Sequence, residues 1–301
     1  MLDIGASVLA KLKNKAKAKG ISYQQCLQLF FQEEFLRKLA ASSYAENLVL
    51  KGGLLIYTLT NFESRATVDI DFLLQNASNE MQHMDEMIAE ILAVPTGNDF
   101  MTFKAKPTEP ISVQRKYHGV STQITGYIKN VRVPFNIDIG VGDVIVPKPE
   151  KRIIKTQLEG YAEPEVFTYS LESTISEKLD AILQRYELTG RMKDFYDIYY
   201  LACVFDFDGR KLQEAIFRTL ENRGTPYESD SFSRILALQD IDDVKVRWRY
   251  FLKSLGDETL EFITIVTVIQ KFLEPVFDAV LHENEWLQSW DSKEARWSPY
   301  V

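Results

Sequence analysis

Apolar positions along this chain follow two spacings, and the balance between them changes near residue 170. Residues 1–47 carry helical spacing, interrupted by Gly20. Ser22-Tyr23-Gln24-Gln25 has the form of a capping box and opens a run in which Leu27, Phe30, Phe31, Phe35 and Leu39 predict one core-facing helix. A short apolar run, Leu48-Val49-Leu50, ends in Lys51-Gly52-Gly53, and helical spacing resumes at Leu54, Leu55, Ile56 and Leu59. Thr67 to Leu74 predicts a strand, with Val68, Ile70 and Phe72 on one face and Asp69 and Asp71 on the other. A helix is expected over 78–93 with Met81, Met84, Ile88 and Leu92 inward, then a turn at 95–99. Strand-like runs follow over 100–104, 120–128 and 131–139, the last two joined at Lys129-Asn130. In the last run Val133, Phe135, Ile137 and Ile139 point one way, while Pro134, Asn136 and Asp138 point the other. After an exposed connection at Pro147-Lys148-Pro149 and a short strand over 165–169, nearly everything to Trp290 reads as helix, including 260–272 and 276–287. The expectation is an α+β protein: N-terminal helices and a mixed sheet over 1–169, and a helical domain over 170–301.

Composition narrows this picture. The chain is 46% apolar and 26% charged, ordinary for a globular protein. No apolar run approaches the length of a membrane span, and the first apolar stretch is too short for a signal peptide. Cys26 and Cys203 both sit in apolar helical patterns and read as buried, reduced thiols of a cytoplasmic protein. The three histidines are scattered and suggest no zinc site. A formal charge of −8 argues against a nucleic-acid coat protein, yet leaves room for a local basic path. Lys11, Lys13, Lys15, Lys17 and Lys19 read either as a solvated helix or as a nucleic-acid contact. The Lys245, Arg247, Trp248, Arg249 group divides the same way, between a surface helix anchored by its Trp and an RNA contact.

Candidate chemistry begins with the paired acids. Two carboxylates on one strand face, shortly after a Gly-Gly turn, suit a divalent cation and phosphate oxygens. Glycines at such a turn let backbone N–H groups approach phosphate without a Cβ in the way. Asp138 is either a third carboxylate on a neighbouring strand or an acid at an exposed sheet end. Lys178 falls within the apolar stripe Leu171, Ile175, Ile182, so its ammonium either has an anionic partner or snorkels to the rim. Asp194 and Asp197 lie three apart on one helix side, beside Arg191 and Lys193.

Four stretches, LKGG, RATVDID, EKLDA and RMKDFYDI, resemble in order the motifs of the AbiEii/AbiGii toxin nucleotidyltransferases, a branch of the polymerase-β-like superfamily. The resemblance spans Lys51 to Leu201 and implies a polymerase-β-like mixed sheet flanked by helices, with a C-terminal helical domain completing the cleft. It implies catalytic roles for Asp69, Asp71, Lys178 and Asp194, and nucleotide contacts from Lys51, Gly52, Gly53, Arg65, Thr67, Arg191 and Lys193. Asp69, Asp71 and Asp138 would hold Mg²⁺, or Mn²⁺ in its place, for transfer of a nucleotidyl group from a nucleoside triphosphate. It further implies RNA as acceptor, above all the 3′ end of tRNA, and an antitoxin encoded nearby. The commoner first motif is Gly-Ser; here Gly53 takes the serine position, and Thr67 is placed to supply a hydroxyl instead. Other expectations compatible with the residues are an inactive scaffold of the same fold, transfer to a protein or small molecule, and a nucleic-acid-binding regulator.

Overall fold

The computed structural model describes residues 3–111, 119–188, 190–256 and 259–300. The chain divides into two compact units, one of Met1–Gly142 with Pro149–Tyr169, the other of Asp143–Lys148 with Ser170–Val301.

The first unit opens with helices α1 (Ile4–Lys19) and α2 (Tyr23–Ala40). Asp3 caps α1, Gly20 ends it in the left-handed region, and Ser22 and Gln25 form the expected capping box of α2. Then come β1 (Leu48–Lys51), α3 (Gly52–Leu59), β2 (Ile70–Leu74), α4 (Met81–Ala93), β3 (Thr102–Ala105), β4 (Glu109–Ile111), β5 (Gly119–Ile128), β6 (Val131–Gly140), β7 (Glu150–Ile153) and β8 (Glu165–Thr168). Their strands build one mixed sheet in the order β3-β5-β6-β2-β1-β8-β7, with β4 paired to β5. The pairs β2–β6 and β1–β8 are parallel and the others antiparallel. Hairpin β5–β6 turns at Lys129-Asn130, since Ile128 pairs with Val131.

The alternation along β6 decides the core. Val133, Phe135, Ile137 and Ile139 are all buried, together with Ile70 and Phe72 of β2 and Phe30, Phe31, Phe35 and Leu39 of α2. Gly126 of β5 is needed for this packing, because a Cβ there would lie 2.6 Å from Cε1 of Phe31. Helix α2 is buried well beyond its apolar stripe: Glu33, Glu34 and Arg37 are also inside. Arg37 pairs with Glu34 at 2.7 Å and donates from Nε to the Ala162 carbonyl, and the Gln157 N–H donates to Glu33 at 2.8 Å. This polar group ties α2 to the chain between β7 and β8.

Three expectations are corrected in this unit. β2 begins at Ile70, because residues 67–69 are held by side chains in place of a ladder: the amides of Gln28 and Gln32 both donate to the Val68 carbonyl. Val68 is accordingly 59% exposed. Helix α4 starts at Met81 and buries Met84, Met87, Ile88 and Ile91, a face rotated from the predicted one. The predicted strand over 100–104 runs instead from Thr102 to Ala105.

The second unit contains α5 (Leu171–Leu183), α6 (Met192–Val204), β9 (Phe207–Asp208), α7 (Gly209–Arg223), α8 (Ser231–Ala237), α9 (Asp242–Leu255), α10 (Phe262–Leu281), β10 (Gln288–Asp291) and β11 (Arg296–Pro299). Helix α10 runs through Pro275 as one element where two were expected. The chain's last two strands join β9 in a three-stranded sheet, β11-β10-β9, so helix gives way to strand before Trp290, where helix was expected to end. Its inward tryptophans explain why: Trp290 donates its indole N–H to the Ala202 carbonyl at 2.7 Å and Trp297 to the Phe272 carbonyl at 3.0 Å. Trp248 is buried in α9 and donates to the Leu260 carbonyl, the anchoring role weighed above. Cys203, expected inside, is exposed, while Cys26 is buried. Among the described residues no helix is long and apolar enough to cross a membrane.

Candidate active site

The sheet places the first group of candidates in a row. Lys51 of β1 pairs with Asp71 of β2, Asp71 with Asp138 of β6, and Asp138 with Ser121 of β5. Directly paired residues on neighbouring strands present their side chains to the same sheet face. Two carboxylates therefore stand side by side, with a lysine on one flank and a hydroxyl on the other. Ser121 donates to Oδ1 of Asp138 at 2.6 Å, fixing that carboxylate. Asp69 lies just before the strand, and the Asn136 amide donates to its Oδ1 at 3.2 Å. Asp138 thus sits on the strand beside Asp71, as expected for a third acid. Among the described residues no group of three or more His, Cys, Asp and Glu side chains is placed to hold a metal.

Helix α3 begins where this row ends. Gly52, its first residue, has φ +69, a conformation that L side chains rarely adopt. A Cβ on Gly52 would meet the Asp71 carboxylate, with Cγ only 2.7 Å away. The carboxylate is therefore seated against the first turn of α3, at the positive end of its dipole. Lys51, at the N-cap, makes no side-chain cap to the helix. N–H groups at a helix start point away from its body, an arrangement that suits phosphate. Lys51 instead turns toward Tyr169, its Nζ 5.0 Å from the ring centre and 3.5 Å from the hydroxyl.

Gly53, the departure from Gly-Ser, has its own physical reason. A Cβ there would lie 2.9 Å from Cβ and 3.0 Å from Oγ1 of Thr67, and 3.5 Å from Nη1 of Arg65. Thr67 occupies the space a serine side chain would need. Its hydroxyl also reaches the Asp69 carbonyl at 3.4 Å. Lys51, Gly52, Gly53, Arg65, Thr67, Asp69, Asp71 and Asp138 are thus gathered at one place in the first unit.

In the second unit Lys178 of α5 has the anionic partners that its position demands. Its Nζ lies 2.6 Å from Asp197 and 3.4 Å from Asp194, both on α6. All three side chains are buried. Arg191 adds a bond from Nε to the second oxygen of Asp194 at 2.5 Å while remaining largely exposed. Burial opposes ionisation of Asp194 most strongly, but the charges of Lys178 and Arg191 together outweigh it and hold the carboxyl below its ordinary value. Lys193 is exposed and adds a weaker attraction. Asp197 went unassigned in the sequence, although it is the nearer partner of Lys178; the three-residue spacing from Asp194 was the available signal.

The profile of the nucleotidyl transferase AbiEii toxin family, type IV toxin–antitoxin system, matches residues 34–283. The chain belongs to the AbiEii toxin family. It is therefore a nucleotidyltransferase and the toxin of a type IV toxin–antitoxin system, with a nucleoside triphosphate as substrate and an antitoxin as counterpart. No curated protein matches it. Among solved structures it is similar to MenT4, a nucleotidyltransferase toxin from Mycobacterium tuberculosis H37Rv. That match has 16% identity and a TM-score of 0.51, and covers 92% of this chain and 99% of that one. A Helicobacter pylori protein described as a candidate nucleotidyltransferase matches at 17% identity and TM-score 0.50, over 85% of this chain and 99% of that one. JHP933 from Helicobacter pylori matches at 18% identity and TM-score 0.49, over 86% and 97%. At these identities the likeness to MenT4 and the candidate nucleotidyltransferase speaks to fold, and it agrees with the α+β architecture of the AbiEii chain.

Proposed function

We propose that this AbiEii toxin moves a nucleotidyl group from a nucleoside triphosphate to RNA in the cytoplasm, the acceptor being the 3′ end of tRNA, and that the reaction requires Mg²⁺. The observation that carries the reading is the row Lys51–Asp71–Asp138 laid against the first turn of α3. Mg²⁺ is commonly held by one or two carboxylates plus substrate phosphates, without an all-protein cage. Two adjacent carboxylates, with Asp69 close by, fit that donor set; Mn²⁺ fits it as well. A bound divalent ion would polarise the phosphate and lower the pKa of the attacking hydroxyl.

The chain's own residues supply the remainder. The N–H groups of Gly52 and Gly53 bind phosphate oxygens, with Thr67 giving the hydroxyl that a serine would give elsewhere and Arg65 a guanidinium. Lys51 balances charge beside Asp71. The acceptor hydroxyl gives up its proton to solvent, its oxygen bonds to the α-phosphorus as the bond to the bridging oxygen breaks, and pyrophosphate leaves. Lys178 is assigned to offset the negative charge that develops, oriented by Asp194 and Asp197, with Arg191 and Lys193 as phosphate contacts. The similarity to MenT4, a nucleotidyltransferase toxin, supports this reading at the level of fold.

The test is to incubate the protein with Mg²⁺, each labelled nucleoside triphosphate in turn, and total cellular RNA. Label is expected in tRNA. It should fall about 100-fold or more with Asp71→Asn, at the upper end of the loss seen on removing a supporting metal contact. Label on a protein or small molecule would replace the RNA acceptor. No label with any triphosphate would overturn the assignment.

A further inference from the structure

We propose that helix α1 is a docking arm for the phosphates of the acceptor RNA. This rests on the RNA reading above and adds where that RNA is held. Five lysines, at 11, 13, 15, 17 and 19, lie in α1, and the helix contains no acid. Such a concentration of one sign is unexpected in a chain of formal charge −8. The packing face is formed by Gly5, Val8, Leu12 and Ala16, so the lysines fall outside it. Lys11, Lys13, Lys17 and Lys19 are exposed, and Lys15 is half-buried, donating to the Gln157 carbonyl. Helix polarity explains Lys17 and Lys19, which sit in the last turn. It gives no reason for Lys11 and Lys13 in the middle. Lysines four apart rise about 6 Å along a helix, so the arm presents a ladder of charge and not a point.

Continuity with the site supplies the second argument. The Lys19 ammonium lies 5.4 Å above the ring of Phe62, and that ring packs edge-on against Tyr57 of α3 at 5.3 Å. Phe62 belongs to the segment between α3 and β2, which carries Arg65 and Thr67. The same segment is held from α2 by Gln28 and Gln32 at the Val68 carbonyl. The lysine helix thus ends on the loop that supplies two of the proposed nucleotide contacts. A polyanion lying along α1 is led to that loop; a small-molecule acceptor would have no use for such a ladder. Helix α1 lies before the matched region, which begins at residue 34.

The experiment measures binding of a total tRNA preparation to the full chain across salt concentrations, without triphosphate. It compares the native protein with a Lys11→Gln/Lys13→Gln/Lys17→Gln variant and with the same three positions changed to Arg. The Gln variant should bind about 10-fold or more weakly at moderate salt, and its log–log salt slope should be shallower by about 2, as expected for three lost phosphate contacts. The Arg variant should keep the native slope, and triphosphate binding should be unchanged in both. An unaltered slope in the Gln variant overturns the proposal, as does native protein that binds no RNA. Labelling of tRNA is scored separately. Lysine-dependent binding without label would sink the acceptor assignment and leave the arm; label with lysine-independent binding would do the reverse.

Discussion

Thr67 lies where the side chain of a residue larger than glycine at position 53 would have to go. Its Cβ and hydroxyl fill the space beside Gly53, so Gly53→Ser alone should displace Thr67 and lower nucleotidyl transfer about 10-fold or more, with the loss seen mainly in the KM for triphosphate. Adding Thr67→Ala should restore a substantial part of it, because the new hydroxyl then has room. A double variant no better than the single would remove Thr67 from the phosphate site. Glu33 offers a second test at this scale. Burial pushes its carboxyl up to about 8, against the Arg37 guanidinium and the Gln157 N–H that favour its charge. A carboxyl with a raised folded-state value binds its proton more tightly in the folded protein. Its contribution is complete below its ordinary value of 4.5 and is lost as pH rises through about 8. Glu33→Gln should therefore gain stability relative to the native protein over that window, by about 1 kcal/mol or more by pH 8.5. Denaturant melts at pH 5, 7 and 8.5 would show a constant difference if Glu33 were ionised throughout. At single positions the sequence was legible at Lys178, whose place in an apolar stripe called for the anionic partners it has. It was silent on Glu33 and Arg37, since a charge inside a helix pattern reads as solvated until its surroundings are known.

Helices α5 and α6 illustrate the element scale. Each alone has an oddity: a lysine in an apolar stripe, and two acids one turn apart. Brought together, each explains the other. Lys178→Met would remove the cation that two buried carboxylates share, and a cost of about 3–5 kcal/mol is expected, read as an earlier midpoint in denaturant. The same change should raise the Asp194 carboxyl, whose depression depends on Lys178. Stability from a depressed carboxyl is present above its ordinary value and lost as pH falls through the folded-state value. In the variant that acid loss should begin at higher pH; an unchanged acid transition would mean that Arg191 alone holds Asp194. Elements with strong period were readable at once, including α2, the β5–β6 hairpin and α5. The closing sheet β11-β10-β9 was not. Its strands are two to four residues long, and they are fixed by Trp290 and Trp297 reaching carbonyls of α6 and α10, which no local pattern announces. β2 was read three residues too long for a related reason: two glutamines from α2 hold the chain before it.

For the molecule as a whole, metal dependence gives the broadest check. A chelator in excess over Mg²⁺ should abolish transfer while leaving the melting transitions in place, because Asp138 and Asp69 have protein partners in Ser121 and Asn136. Loss of structure on chelation would mean instead that the metal is part of the fold. The two parallel pairings of the sheet carry a consequence for the making of this toxin. Asp71 meets Asp138 across β2–β6, and Lys51 of β1 rests on Tyr169 just past β8. A growing polypeptide that has left the ribosome only as far as its first hundred residues holds neither partner. The carboxylate row is therefore assembled only once translation has passed residue 138, and Lys51 meets its ring only after residue 169 has emerged.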